Sequence, residues 1–335
     1  MKFLIDINQN GHFKCLRLAM AITIFQGRKS LIHFIIRMAK IYNNIQDIDF
    51  NLNDISSQQL PPKLFMVSPD HFTVEYVINP HMEGNVGKVD AKKAKEEWTE
   101  IKDTYENAGL SVDVVQGESG LPDMVFCANQ SLPILDDNGK KHVMMSIMNS
   151  EHRSDEVPYI EQYYRQQGYV IHHFPEDQIS DFEGMGDAIW VNGKRIIFGG
   201  YGYRSSLEAY DIIVEKFDIP VVALKLTTED FYHLDTCFCS LNENSVLIYP
   251  KAFTEEGLEI INHLFENVYE VPDHEARHLF ACNATCPDGK NVVIQRGCSQ
   301  TNSMLSDAGF TIHEVETQEY IKSGGSVFCM KMMVW

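Results

Sequence analysis

Basic residues are scarce in this sequence. Its 335 residues hold 28 Lys and Arg against 47 Asp and Glu, for a formal net charge of −19. Such a balance argues against a broad basic face, and so against a nucleic-acid partner, because the chain would repel backbone phosphates. Long apolar runs are missing as well. The best candidate, residues 18–26 between Arg17 and Arg28, falls well short of the ~20 residues that cross a bilayer, so no membrane partner is expected. The eight cysteines (Cys15, Cys127, Cys237, Cys239, Cys282, Cys286, Cys298 and Cys329) lack the paired spacing of a metal cage. Their even number invites disulfides. At this length, and without a clear signal peptide, the expectation is free thiols in a reducing compartment, the cytoplasm.

The few basic residues are unevenly placed. Residues 1–46 carry seven of them and one acid, whereas the remaining 289 residues carry 21 basic and 46 acidic side chains. Residues 1–60 therefore read as a basic N-terminal extension of unknown role, ending in a polar stretch before Pro61 and Pro62. Two readings stand: a loosely attached extension, or a presequence for an organelle such as the mitochondrial matrix, although serine enrichment is lacking. Residues 61–335 read as one domain. Thirteen short apolar runs there have strand character, and segments 88–107, 155–167, 205–216, 254–267 and 299–307 have helical character. Two or three strands between helices do not give the strict alternation of a doubly wound sheet. A unit of several strands plus one helix, repeated radially, fits better, although no clean sequence repeat is visible.

Residues suited to chemistry cluster in a few strings. Cys329 follows the Gly324-Gly325 turn and is assigned to a short strand, where buried packing is the ordinary explanation for a lone thiol. His233 and Asp235 lie two apart, a spacing that puts both on one face of a strand. Glu183 and Asp187 flank two glycines before an apolar run. Asp123, Phe126 and Asn129 share the string LPDMVFCAN, and Arg153 and Arg204 are candidate anion clamps. Each signal is weak alone. Together they supply a thiol, an imidazole and several acids, the parts of nucleophilic catalysis.

The strings SPDHFTVEYVINPHMEGN (68–85), LPDMVFCAN (121–129), FEGMGDA (182–188), GYGYRS (200–205), FYHLDTCFCSL (231–241) and GG-x-x-x-C (324–329) resemble the guanidino-group-modifying enzyme superfamily. Within it the similarity is greatest to the arginine dihydrolase module, and it covers about residues 63–335. The resemblance implies an α/β fold, a five-bladed propeller with the active site at its axis. It implies Cys329 as nucleophile, His233 as general acid/base and Glu183 as the residue orienting it. Asp123 and Asp235 would hold the guanidinium, Arg153 and Arg204 the substrate α-carboxylate, and Asn79, Phe126, Asn129 and Asp187 would complete the substrate site. The deiminases of the group carry aspartate where this sequence has Asn129, so the amide favours a dihydrolase.

The implied reaction takes arginine to ornithine, carbon dioxide and two ammonia through a cysteine–thiouronium intermediate, with neither metal nor cofactor. The expected partner is a small guanidino substrate, and a homo-oligomer stays open. Larger dihydrolase-containing proteins continue into an ornithine-processing domain. Because this sequence ends at Trp335, six residues after Cys329, the expectation is that ornithine is released. Alternatives are a deiminase yielding citrulline, a dimethylarginine dimethylaminohydrolase, an amidinotransferase and, more remotely, an inactive arginine-binding module.

One motif competes. His274, Glu275 and His278 spell H-E-x-x-H, a zinc signature on a helix. The preferred reading is a solvated helix start with Asp273 as N-cap.

Overall fold

A computed structural model describes residues 40–335 apart from Glu176. The question of extension or presequence falls mainly on residues outside that range. Met38–Trp335 forms one compact unit.

Five separate sheets are present among the described residues, and each is built the same way. In one, Ser131–Leu135 pairs antiparallel with Lys141–Met145, which pairs parallel with Val170–His172. The helix Val157–Gln166 makes the parallel crossover. The pattern recurs with Ala188–Trp190, Ile197–Tyr201, the helix Leu207–Phe217 and Val221–Lys225. It recurs again with Phe238–Ser240, Ser245–Ile248, the helix Glu255–Leu264 and Asn267–Glu270. In a fourth unit Thr285 bridges antiparallel to Val293, and Asn291–Gln295 lies parallel to Thr311–Val315 across the helix Ser299–Asp307. The fifth joins the two ends of the domain. Met332–Val334 pairs antiparallel with Lys63–Val67, which pairs parallel with Ser111–Val115 through the helix Ala91–Asn107. A hairpin step needs only a short turn, whereas a parallel step needs a crossover. That alternation explains why one long helix falls between the second and third strands of each unit.

The helix Ala91–Asn107 shows how sequence sets one unit. The Asp90 side chain accepts from the backbone N–H groups of Lys92 and Lys93 and fixes the start. Ala94, Trp98, Ile101 and Tyr105 follow at helical spacing and are buried, each large side chain contributing about 1.5–3 kcal/mol by leaving water. The inner strands are buried along nearly their whole length, whereas the outer parallel strands Ser111–Val115, Val170–His172 and Asn267–Glu270 are part-exposed.

The outer strand Val221–Lys225 is the exception, with four of its five residues buried. Residues 40–60, grouped by composition with the extension, account for this. Ile41–Tyr42 adds a parallel strand to its edge, and Tyr42, Ile48, Phe50 and Leu52 enter the main apolar core. The packed domain thus starts before the change in composition. No helix among the described residues is long and apolar enough to cross a membrane.

Candidate active site

The site is assembled from turns at the ends of inner strands. Cys329 stands in a turn just before Met332–Val334, not within a strand as its apolar context suggests. Asn283 sets that turn: its Oδ1 accepts from the N–H groups of Phe328 (3.1 Å) and Cys329 (3.3 Å), while its Nδ2 donates to Asp235 O (3.0 Å) and to Cys329 Sγ (3.1 Å). The thiol donates to Asp235 Oδ2 at 3.1 Å. Burial pushes the Cys329 thiol well above its ordinary range, and the Asp235 carboxylate adds to that. The sulfur is thus a protonated donor to Asp235.

His233 and Asp235 also sit on a turn, the one-turn 3-10 helix Leu234–Thr236. Shared strand alternation is therefore not what brings them together. Asp187 is: its Oδ1 accepts from Leu234 N (3.0 Å) and its Oδ2 from Ser205 Oγ (2.7 Å), and these two bonds fix the turn carrying both residues. Burial lifts the Asp187 carboxyl to about 7. Asp187 is not on the cavity wall.

The imidazole is held from both sides. Its Nε2 donates to Glu183 Oε2 at 2.7 Å. Burial alone would raise the Glu183 carboxyl, but the His233 hydrogen bond and charge, with Arg204 and Arg153, bring it down to about 2. On the other side, Arg153 Nη1 donates to Asn129 Oδ1 at 2.9 Å, which turns the Asn129 amide nitrogen toward His233 Nδ1 at 3.5 Å. Nδ1 is thus the acceptor nitrogen, an assignment that follows from the network.

Cys329 and His233 line one cavity, with about 300 Å³ of empty space including its mouth. Asn79, Asp123, Phe126, Asn129, Arg153 and Arg204 share that wall. Glu183 and Asp235 stand behind it, against His233 and Cys329. Asp123 receives Ser323 Oγ on Oδ1 at 2.8 Å. Its Oδ2, Asp235 Oδ1 and the nearby Tyr76 hydroxyl are buried without a hydrogen-bond partner. Burial raises the Asp123 carboxyl and takes that of Asp235 to about 7. Unpaired buried carboxylate oxygens are costly, and a bound cation satisfies them.

Arg153 is engaged inside the protein. It holds the buried Glu156 through Nε and Nη2 (2.9–3.2 Å) and the carbonyls of Asp123 and Phe126 at 3.1 and 3.2 Å. Arg204 donates from Nη2 to Ile78 O at 2.6 Å and stacks over Tyr232 at 4.8 Å. Asn79 caps a turn by accepting from His81 and Met82 N–H groups and donates to Ser323 O at 3.0 Å. The residue at 324 must be glycine: φ is +86°, and a Cβ would lie 2.8 Å from Asn79 Oδ1.

Glycine at 186 makes the site testable. A Cβ there would fall 2.3 Å from Asn129 Nδ2 and 3.5 Å from His233 Cγ. Gly186→Ala should therefore displace the Asn129 amide from its place beside His233, lowering kcat by about 10²-fold. Unchanged kcat in a folded variant would show that the position of the Asn129 amide does not matter to turnover.

Sequence reading missed Asn283, Glu156 and Tyr76. Asn283 lies in the Cys282–Cys286 run, which draws attention as a thiol spacing. An amide in a fully buried apolar stretch was the available signal. The H-E-x-x-H motif has a structural use. Glu275 accepts from the N–H groups of Gln300 and Thr301 and from the Thr301 hydroxyl, capping the next helix. The helix Asp273–Leu279 has Pro272 at its N-cap position, not Asp273, whose carboxylate instead meets Tyr249, Lys251 and Arg277. Among the described residues no group of three potential ligands gathers to hold a metal ion.

A buried thiol, an imidazole and carboxylates thus gather at one cavity of an α/β scaffold, the parts of a thiol-dependent active site. The chain belongs to the family described as N,N dimethylarginine dimethylhydrolase, eukaryotic, which matches residues 68–335. It is 36% identical over 274 residues to the bifunctional arginine dihydrolase/ornithine cyclodeaminase ArgZ of Synechocystis, covering 81% of this chain and 37% of that protein. It thus spans under two fifths of that relative's length. It is 33% identical over 269 residues to the N(G),N(G)-dimethylarginine dimethylaminohydrolase of Mycobacterium tuberculosis, covering 80% of this chain and 84% of that one. Among solved structures, the N-terminal domain of ArgZ bound to substrate matches with a TM-score of 0.76 and 34% identity, over 81% of this chain and 97% of that one.

Proposed function

We propose that this chain hydrolyses L-arginine to ornithine, carbon dioxide and two ammonia, with Cys329 as nucleophile. The observation that carries the reading is the pair of unpartnered buried oxygens, Asp123 Oδ2 and Asp235 Oδ1, at a cavity that also presents sulfur and imidazole. A planar guanidinium offers bidentate donors to both carboxylates. Its charge also removes the reason the thiol stays protonated, so substrate binding itself favours the thiolate.

The thiolate attacks the guanidinium carbon. His233 Nδ1 takes up the thiol proton as the thiolate forms and passes it to one nitrogen, and the first ammonia leaves a thiouronium on sulfur. Water attacks that carbon while His233 takes its proton. Expulsion of the second ammonia leaves a carbonyl on sulfur. A second water frees the thiol, and the resulting carbamate loses carbon dioxide to give ornithine. Glu183 fixes the ring and stabilises its charged form. Arg204, on the cavity wall, is the candidate partner of the α-carboxylate, with Arg153 acting through Asn129.

In this reading the five hairpin-plus-crossover sheets are the blades of a five-bladed α/β propeller, closed by pairing of the domain's two ends. A reducing compartment such as the cytoplasm is part of the same proposal, supported by seven unbonded, buried cysteines among the described residues.

The family description and the mycobacterial relative favour a second reading, removal of dimethylamine from dimethylated arginine. Incubation with labelled arginine, and separately with asymmetric dimethylarginine, decides between them. Two ammonia per ornithine are expected. Citrulline with dimethylamine would establish the second reading. Asn129→Asp puts a carboxylate beside His233 Nδ1 and keeps it protonated, impairing it as the base for water. Its products should shift from ornithine toward citrulline. An unchanged ratio would show that Asn129 does not set the outcome.

A further inference from the structure

Lys331 lies two residues beyond Cys329 and lines a different cavity. That second cavity holds about 610 Å³ of empty space including its mouth. Its wall is mainly apolar and aromatic, with Ile189, Trp190, Phe328, Met333 and Trp335 among its residues. None of the residues lining it is acidic; the two charged ones are lysines. Lys194, near Gly193, is paired with Glu243 Oε2 at 3.1 Å. Lys331 is not paired. It is 1% exposed, and its ammonium makes no ion pair or hydrogen bond with any described residue. Its nearest partner is the ring of Phe328, 3.2 Å from Nζ to the centroid. Two polar residues of the wall are already engaged: the Asn192 amide donates to the carbonyls of Ser240, Leu241 and Cys286, and Ser240 Oγ accepts from Asn192 N at 3.0 Å.

A buried ammonium without an ion pair in contact is expensive to keep. Burial draws Lys331 down to about 8, against the opposing pull of Asp235. On its own cavity the ammonium thus meets apolar side chains and no acidic residue.

We infer that this cavity binds a small apolar monocarboxylate, its carboxylate on Lys331 and its apolar body against Trp190, Phe328 and Trp335. One ammonium free of an ion pair, beside apolar and aromatic side chains, suits a monoanion.

The probe is hexanoate, with hexan-1-ol and hexylammonium as matched controls. The readout is tryptophan emission, since Trp190 and Trp335 line the cavity and pack edge to face at 6.1 Å. The third tryptophan, Trp98, is buried in the helix Ala91–Asn107. Saturable one-to-one binding of hexanoate is expected, about tenfold or more tighter than hexan-1-ol, with no binding of hexylammonium. Lys331→Met should remove the preference for hexanoate while keeping affinity for the alcohol. Hexanoate should bind Cys329→Ser equally well with and without saturating arginine, which separates this cavity from the arginine site. Equal affinity for hexanoate and hexan-1-ol in the native protein, or absence of a saturable change with either, would overturn the inference, and that comparison stands even if Lys331→Met fails to fold. Displacement of hexanoate by arginine would overturn it as well.

Discussion

Replacing Cys329 with serine is expected to lower arginine turnover by about 10⁴-fold or more, while arginine still binds. The sulfur is positioned by groups that do not depend on its chemistry. Asn283 holds its backbone N–H and donates to the side chain, and Asp235 accepts from it. A serine hydroxyl can keep both hydrogen bonds, so the cavity and its two carboxylates should persist. What it cannot do is ionise near neutral pH, even beside a guanidinium, because its oxygen lacks the acidity of a thiol. Ammonia release measures the loss of turnover, and calorimetric titration with arginine measures the retained binding. Turnover within tenfold of the native rate would remove Cys329 from the mechanism. Arginine binding without turnover in the native chain would instead favour a binding module over an enzyme.

The same residues show what could be read from sequence. Cys329, His233, Glu183 and Asp123 sit in short strings whose glycines and carboxylates mark them, and the structure brings them to one place. Their local settings were less legible. His233/Asp235 and Cys329 look like strand residues because their neighbours are apolar. They lie on turns because Asp187 and Asn283, distant in sequence, take up the backbone N–H groups that a strand would pair. Helices were easy to place: all five long ones fall within a few residues of their predicted positions, since each buries one periodic face. The strand Ser131–Leu135 was not expected, because Pro133 sits inside it. There Pro133 offers its carbonyl to Trp190 Nε1 at 3.1 Å. The fivefold recurrence of sheets is likewise hidden. It resides in the order of antiparallel and parallel pairings, and different side chains satisfy each unit. Charge misplaced the start of the domain, because burial of Tyr42, Phe50 and Leu52 depends on apolar area and not on the lysines and arginines nearby.

Asp235→Asn should separate two roles that one carboxylate plays. In the proposed reading the Asp235 carboxylate holds the guanidinium, and charge-assisted bonds of this kind contribute about 3 kcal/mol. The variant should therefore lose about 10²-fold in kcat/KM for arginine. The same carboxylate accepts from the Cys329 thiol and, after burial, is the main cause of its raised pKa. Removing it makes the empty-site sulfur easier to ionise. Alkylation of Cys329 by iodoacetamide at pH 8, followed by peptide mass, should then be faster in the variant while catalysis is slower. A merely structural carboxylate would not move the two readouts in opposite directions. The pH profile supplies the sign. Burial holds the Asp235 carboxyl at about 7, so below pH 7 it is protonated and no longer attracts a cation. In the native protein kcat/KM should fall as pH drops through 7, approaching tenfold per unit. The Cys329 thiol, raised in the empty site, adds a rise toward alkaline pH. In Asp235→Asn the acid limb should flatten, leaving the part due to Asp123, which burial also raises. An acid limb of unchanged steepness would assign that titration to another group and remove Asp235 from cation binding.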